Sequence, residues 1–438
     1  MTVRIGLLGI GTVGAGTVNV LSRNQTEITR RAGTDIKIVR ASARDLSKAR
    51  DCSLEGISLS ADPFEVVEDP DVQVVVELIG GVDTAADLVY RAVENGKHVV
   101  TANKALIAAT GNTLFEKAYE KGVMVAFEAA VAGGIPIIKA IREGLSGNRI
   151  QWLAGIINGT GNYILTEMWE KGRDFNDVLA EAQALGYAEA DPTFDIEGID
   201  AAHKLCILAA IAFGNPLRFE RVYTEGISGV SADDITYAAQ LGYRVKHIGI
   251  ARCTQNRVEL RVHPTLIPEK QLLANVNGVQ NAVLVHGDAV GATLYYGAGA
   301  GASPTASAVV ADLVDVVRSL NTAPKNRVPY LAFQPDAVAD LSVVPMAEIE
   351  TAYYLRMLVT DRPGVLAEIA SILARRGISI EAVVQKEPPP GVALVHLIML
   401  THKVLEGRMN EAIEEIEALE TVSGDVIRIR LEYLDGPS

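Results

Sequence analysis

The sequence predicts an α/β chain in three parts: a parallel-sheet domain at the N-terminus, an α+β domain in the middle and a βαββαβ unit at the C-terminus. Three observations carry this reading. Short apolar runs alternate with helical patterns as far as residue 128, a Gly-rich turn joins the first strand to the first helix, and a fresh alternation begins near residue 351. At 438 residues the chain exceeds one ordinary core. Its 49% hydrophobic and 21% charged content is that of a globular protein.

In the first part, residues 3–8, 36–41, 72–79, 98–102 and 123–127 read as strands. The run VQVVVELI at 72–79 is almost continuously apolar, as in a central strand covered on both faces. The first domain is placed at 1–130. From 131 to 320, clustered helices precede clustered strands, which predicts a mixed or antiparallel sheet and a body that presents strands for self-association. The helical stretch 303–320 is expected to return to the first domain. Residues 321–350 hold Asn, Pro, Lys and Gln among broken apolar pieces and read as a linker with some order of its own. Beyond it, 354–360, 378–385, 393–401 and 426–431 read as strands and 364–376 and 407–418 as helices, the ferredoxin-like plan, over 351–438. A module that restarts after a linker is expected to be separable from the body.

Gly9-Ile10-Gly11-Thr12-Val13-Gly14 follows a strand and opens a helix, the context in which GxGxxG predicts a Rossmann-type dinucleotide site. Gly9 permits the tight turn, Gly11 the approach of a pyrophosphate and Gly14 close helix packing. Thr12 and Val13 supply N–H groups at the helix start. The next strand ends in Ala43-Arg44-Asp45, with Arg44 ahead of the acid, and Lys48 follows. A guanidinium pairs with a 2′-phosphate, so Arg44 points to NADP(H), with NAD(H) as the second cofactor the fold admits. A solvated surface role for Arg44 remains the alternative.

Thr101-Ala102-Asn103-Lys104 stands where a parallel strand ends, the edge at which open α/β sheets bind ligands. In GYAEADPTFDIEGIDAAHK, residues 186–204, five carboxylates lead into a helix whose continuation from 205 to 213 is wholly apolar. Asp200 and Lys204 lie one turn apart on one face. An exposed ion pair is the plain alternative, but so apolar a helix buries its charges, which is costly without partners and suits a cleft that uses them. His203 is given no role.

These motifs, with Asn158-Gly159-Thr160-Gly161-Asn162-Tyr163 and the glycine-rich turn at 297–301, resemble homoserine dehydrogenases over essentially the whole chain. Gly161 departs from the family, where Cys is common. The resemblance implies NAD(P)H-dependent interconversion of L-aspartate 4-semialdehyde and L-homoserine. It makes Lys204 the acid/base at the reacting oxygen, with Lys104 assisting there, and gives Glu189 and Asp200 the substrate. It also sets Gly186, Gly301 and Lys104 at the cofactor. Elementary chemistry agrees, because an alkoxide calls for an ammonium and the substrate's own ammonium for carboxylates, which Glu189, Asp195 and Asp200 supply. Thr160 and Gly159 are expected at the substrate carboxylate.

The resemblance further implies a monovalent cation, Na⁺, at Glu128, Val131, Gly133 and Ile135, and oxygen-only ligation suits such an ion. Capping of the following helix by Glu128 is left as the equal alternative. Asp361-Arg362-Pro363-Gly364-Val365-Leu366 looks like the turn of ACT domains, which bind amino acids. It implies an effector site at Asp361, Gly364, Val365 and Leu366, with L-threonine first in line and a purely oligomerising module as the alternative. A homodimer or homotetramer is expected.

A formal charge of −14 opposes nucleic-acid binding. The three cysteines, Cys52, Cys206 and Cys253, show no CxxC spacing, and neither a signal peptide nor an apolar run of membrane length stands out, so the expected location is the cytoplasm with no membrane partner. Two other readings share these modules. Aspartate-semialdehyde dehydrogenase requires a nucleophilic Cys, and no cysteine here has that setting; a non-catalytic Rossmann–ACT sensor would not need Lys104, Glu189, Asp200 and Lys204 together.

Overall fold

The computed structural model describes residues 2–386 and 393–434. Strands β1 (Thr2–Leu8), β2 (Asp35–Ser42), β3 (Ser58–Ser60), β4 (Val74–Glu77), β5 (His98–Thr101) and β6 (Val125–Ala126) form one parallel sheet in the order 3-2-1-4-5-6. The strand order reverses beside β1, so the crevice at the carboxyl ends of β1 and β4 is the ligand-binding switch point. The three-residue β3 is too short to carry a periodic signal, and the sequence reading lacks it. The expected strand 72–79 stops at Glu77 because Gly80 and Gly81 take φ of 70° and 74°. There Glu77 accepts the N–H of Ile79 at 2.9 Å and of Gly80 at 3.2 Å.

The helix Ala302–Arg318 returns to this domain, where Ala306, Val309 and Leu313 join Ile5 and Leu7 of β1 in one core. Its start presses on the helix Thr12–Arg23. A Cβ on Gly16 would stand 2.4 Å from the Ala302 carbonyl oxygen, so only glycine permits the approach.

The remaining strands are β7 (Ile150–Ile156), β8 (Tyr223–Thr224), β9 (Tyr243–Thr254), β10 (Arg257–Pro268), β11 (Gln280–Gly287), β12 (Gly291–Ala298), β13 (Ser342–Val343), β14 (Glu350–Thr360), β15 (Ile380–Gln385), β16 (Leu394–Thr401), β17 (Val404–Leu405) and β18 (Val422–Leu431). They make a second sheet along the path 12-11-7-9-10-18-14-16-15, with β8 and β13 on β10 and β17 on β14. Its C-terminal portion is the expected βαββαβ unit, whose helices are Val365–Arg375 and Glu406–Glu417. Along β14 the alternation is strict: Tyr353, Leu355, Met357 and Val359 face those helices, while Ala352 and Tyr354 face the middle domain.

The sequence reading makes this unit a separable module, and here the structure differs. β18 pairs in parallel with β10, Thr265 opposite Arg430 and Leu266 opposite Leu431, so one sheet runs through both parts. Tyr354, Ile398, Leu400, Ile429 and Leu431 share a core with Ile164, Leu165, Val245 and Leu266. Arg261, fully buried, pairs with Glu432 at 2.6 Å. Residues 321–350 are also tied down: Tyr330 donates to the Val123 carbonyl at 2.6 Å, Arg327 to that of Gly122 at 2.8 Å, and β13 adds to β10. Hydrophobic alternation in β18 looks the same whichever sheet receives its edge, which is why the junction is invisible in sequence.

Each of the five shared side chains contributes about 1.5–3 kcal/mol on burial. A chain ending at residue 349 should therefore melt well below the full-length protein and expose apolar surface. Calorimetry and dye binding check this, and an unchanged melting temperature would refute it.

Candidate active site

The site begins at the end of β7. Asn158 caps the helix Gly159–Lys171, its Oδ1 accepting the Gly161 N–H at 2.7 Å. Its amide nitrogen donates to Asp195 Oδ1 and to Asp200 Oδ2, both at 2.8 Å. One asparagine thus uses both of its N–H donors to hold two carboxylates that would otherwise repel.

Asp200 opens the helix Ile199–Phe213, near whose N-terminus a carboxylate is favoured. It is 3% exposed. One turn on, Lys204 Nζ lies 2.6 Å from Asp200 Oδ2 and donates to the Ile157 carbonyl at 2.7 Å. Lys104, the first residue of the helix Lys104–Glu120, lies 3.2 Å from Asp200 Oδ1. Burial opposes ionisation of Asp200, but the two ammonium groups and the Lys204 and Asn158 hydrogen bonds outweigh it and hold its pKa at about 2. Asp195 shifts the other way, raised by burial and by the neighbouring Asp200 charge.

Lys104 is positioned by a second network that the sequence reading lacks. Thr101 donates to the fully buried Glu77 at 2.6 Å, and Asn103 donates to the Gly81 carbonyl at 2.6 Å while accepting the Leu106 N–H. The ends of β4 and β5 are thereby locked to the loop that walls the cofactor turn, where a Cβ on Gly9 would strike Ile79 and the Leu78 carbonyl. A Cβ on Gly14 would stand 2.2 Å from the Gly9 carbonyl oxygen, whereas one on Gly11 would meet nothing within 4 Å. The turn is closed below and open above Gly11, the shape a pyrophosphate requires.

Not every expected residue joins the cluster. Glu189 and Gly186 stand in an exposed loop, where Gly186 turns the chain with φ of 76° past the helix Phe175–Ala184. That loop is tethered by Thr160, whose hydroxyl donates to the Tyr187 carbonyl at 2.7 Å. Glu128 is buried and its two carboxylate oxygens accept the N–H groups of Ile138 and Lys139 at 2.8 Å, the capping role. Burial and the adjacent Asp312 push its pKa up to about 7. Arg44 is exposed at the end of β2. His203 lies 4.0 Å from Phe219, ring on ring, with its pKa pushed down to about 4 by burial. Asn158, Glu77 and Asn103 are the residues sequence reasoning missed. An Asn between a strand and a Gly-Thr-Gly helix start was the available signal for the first.

Family models match three stretches of the chain: "Homoserine dehydrogenase, NAD binding domain" at residues 9–128, "Homoserine dehydrogenase" at 136–314 and "ACT domain" at 353–421. The homoserine dehydrogenase of Pseudomonas aeruginosa is 64% identical over 99% of both chains, and that of Neisseria gonorrhoeae 55% identical over the same shares. The chain belongs to the homoserine dehydrogenase family. A crystal structure of the Thiobacillus denitrificans homoserine dehydrogenase superposes with a TM-score of 0.93 at 63% identity, covering 99% of this chain and 98% of that one. A hyperthermophilic archaeal homoserine dehydrogenase in complex with NADPH matches 72% of this chain and 98% of that one, with a TM-score of 0.61 and 28% identity. The chain is thus an NAD(P)-dependent oxidoreductase that interconverts L-aspartate 4-semialdehyde and L-homoserine, and it carries an ACT domain. Burial raises all three cysteine thiols, that of Cys206 to about 12, so none has the setting of the nucleophile that the thioacyl chemistry of aspartate-semialdehyde dehydrogenase requires. Among the described residues no helix is long and apolar enough to cross a membrane.

Replacing Asn158 with Ala removes a donor that favours the ionised form of both Asp195 and Asp200. Their pKa values should rise, moving the acid limb of the kcat/KM profile to higher pH. A limb that stays in place would show that neither carboxylate needs to be ionised.

Proposed function

We propose that Lys204 protonates the substrate oxygen, that Lys104 assists at the same oxygen and that Asp200 holds both in place. The observation that carries this is the bracketing of one buried carboxylate by two ammonium groups. An ammonium has three N–H bonds. Lys204 commits one to the Ile157 carbonyl and one to Asp200, leaving the third for an oxygen. Bound NADPH supplies the hydride. As the aldehyde is reduced, the oxygen gains negative charge, which the Lys204 ammonium stabilises and then protonates.

Glu189, Asp195 and Asp200 take the substrate's ammonium, Glu189 coming from the loop that Thr160 tethers. The Thr160 hydroxyl is occupied by that tether, so the backbone N–H groups of Gly159 and Thr160, at a helix start, face the substrate carboxylate. For the cofactor, Gly9, Gly11, Thr12, Val13 and Gly14 cradle the pyrophosphate and Gly301 closes the cleft from the start of the helix Ala302–Arg318. Arg44, with Lys48, meets the 2′-phosphate and makes NADP(H) the preferred cofactor; the archaeal relative was solved with NADPH. Na⁺ rests on the carbonyls of Glu128, Val131, Gly133 and Ile135, because the Glu128 carboxylate is committed to N–H groups.

In the ACT domain Gly364, with φ of 101°, precedes the helix Val365–Arg375 beside a cavity of about 320 Å³ lined by Asp361, Val365 and Leu366. The effector binds here, with L-threonine as the feedback inhibitor. Among the described residues both edges of the long sheet are open, Tyr296 on β12 being 60% and Val383 on β15 42% exposed, which favours a homodimer or homotetramer. The three free cysteines suit a reducing cytoplasm.

Lys204→Ala should lower kcat about 10²–10⁴-fold with NADPH binding intact, since general acid catalysis is worth that much. Single-turnover kinetics and cofactor fluorescence read both, and wild-type kcat at saturating substrate would reject the assignment. Arg44→Ala should raise KM for NADPH by about tenfold or more and leave that for NADH nearly unchanged. Equal changes in both would remove Arg44 as the discriminator.

A further inference from the structure

Arg430, on the last strand of the ACT domain, is fully buried yet shared between two carboxylates on opposite sides of the domain junction. Its Nε donates to Glu406 of the ACT domain at 2.8 Å and its Nη1 to Glu225 of the middle domain at 2.7 Å, while Nη2 reaches Glu406 and the Tyr223 hydroxyl. A buried guanidinium needs all of these partners, and losing one leaves charge uncompensated. The arrangement therefore fixes the segment 223–228 against β18.

The other side of that segment grips residues 195–198, which carry Asp195 and lead into the helix of Asp200 and Lys204. The Ile227 N–H donates to the Ile196 carbonyl at 2.9 Å and Ser228 Oγ to Glu197 at 2.8 Å. A Cβ on Gly226 would stand 2.1 Å from a Glu197 carboxylate oxygen. The Glu225 carbonyl accepts from His247 Nε2 at 2.9 Å, and the His247 ring walls Gly198, where a Cβ would meet His247 and Thr224 at 3.0 Å and Val262 at 3.1 Å. Gly198, with φ of 82°, is the residue from which the helix of Asp200 and Lys204 starts. One short segment thus touches the ACT domain with one side and the substrate carboxylates' own loop with the other.

We propose that Arg430 and Glu225 are a positioning pair for the substrate carboxylates, so that the last ACT strand sets the affinity for L-aspartate 4-semialdehyde through residues 223–228. The proposal rests on the reading that Asp195 and Asp200 hold the substrate. It assigns neither residue to the chemistry, since both lie behind the loop and not in the cleft. β18 also begins beside the proposed effector turn, the Thr360 N–H donating to the Thr421 carbonyl at 2.9 Å, so a single strand spans from that turn to the pair.

The test is steady-state kinetics of full-length Arg430→Gln, Glu225→Gln and Arg430→Lys. The two Gln variants should raise KM for the semialdehyde about 3–30-fold, the range of coupling through packed networks, with kcat and the KM for NADPH within about twofold of wild type. Arg430→Lys keeps the charge and should recover part of the loss. The double variant should cost less than the sum of the singles. Should Arg430→Gln not fold, Ser228→Ala, at an exposed position, cuts the bond to Glu197 from outside the ion pair and should raise the same KM by a smaller factor. An unchanged semialdehyde KM in folded Glu225→Gln and Ser228→Ala, or an equal rise for both substrates, would overturn the proposal. Asp200→Asn run alongside separates the two failures: wild-type kinetics in that variant would sink the reading of the site itself.

Discussion

The site depends on one buried carboxylate. Asp200 is removed from water and stays ionised because Lys204, Lys104 and Asn158 all point at it. Removing either lysine leaves the buried carboxylate only partly compensated in a low-dielectric setting, which weakens the fold around it. The position of each lysine is therefore a condition of stability as well as of chemistry. Because Lys104 comes from the parallel-sheet domain and Lys204 from the middle domain, Asp200 also ties the two bodies together.

Glycine does the complementary work of close approach. Gly14 lets the first helix sit on its own turn, Gly16 lets the returning helix Ala302–Arg318 touch it, and a Cβ on Gly133 would stand 2.5 Å from the Gly299 carbonyl oxygen. The glycine-rich turn at 297–301 is thus packed tightly, its Gly299 carbonyl against Gly133 and a Cβ on Gly299 within 2.2 Å of the Asn281 side chain. Such contacts tolerate no side chain.

The C-terminal unit is joined to the rest in the same physical terms as a domain interior. β18 pairs with β10, and Arg261 and Arg430 are both fully buried, each paired across the junction. Buried ion pairs contribute little net stability but are intolerant of misfit. These pairs therefore fix the orientation of the ACT domain, while the apolar core shared across the junction supplies its stability.

The sequence by itself determined the parallel sheet, the dinucleotide turn, the βαββαβ unit and the carboxylate-rich block from 186 to 204. These are local signals: strand and helix periods, glycine spacing and a carboxylate-rich lead into an apolar helix. Tertiary structure alone decided that Asn158 binds two aspartates from 37 and 42 residues away, that the Glu128 carboxylate caps a helix, and that Glu189 waits in an exposed loop. It also decided that the ACT strand is continuous with the catalytic sheet. The reason is common to all four. A strand edge, an amide or a carboxylate carries the same local pattern whatever it meets, and its partner is chosen by how distant segments pack.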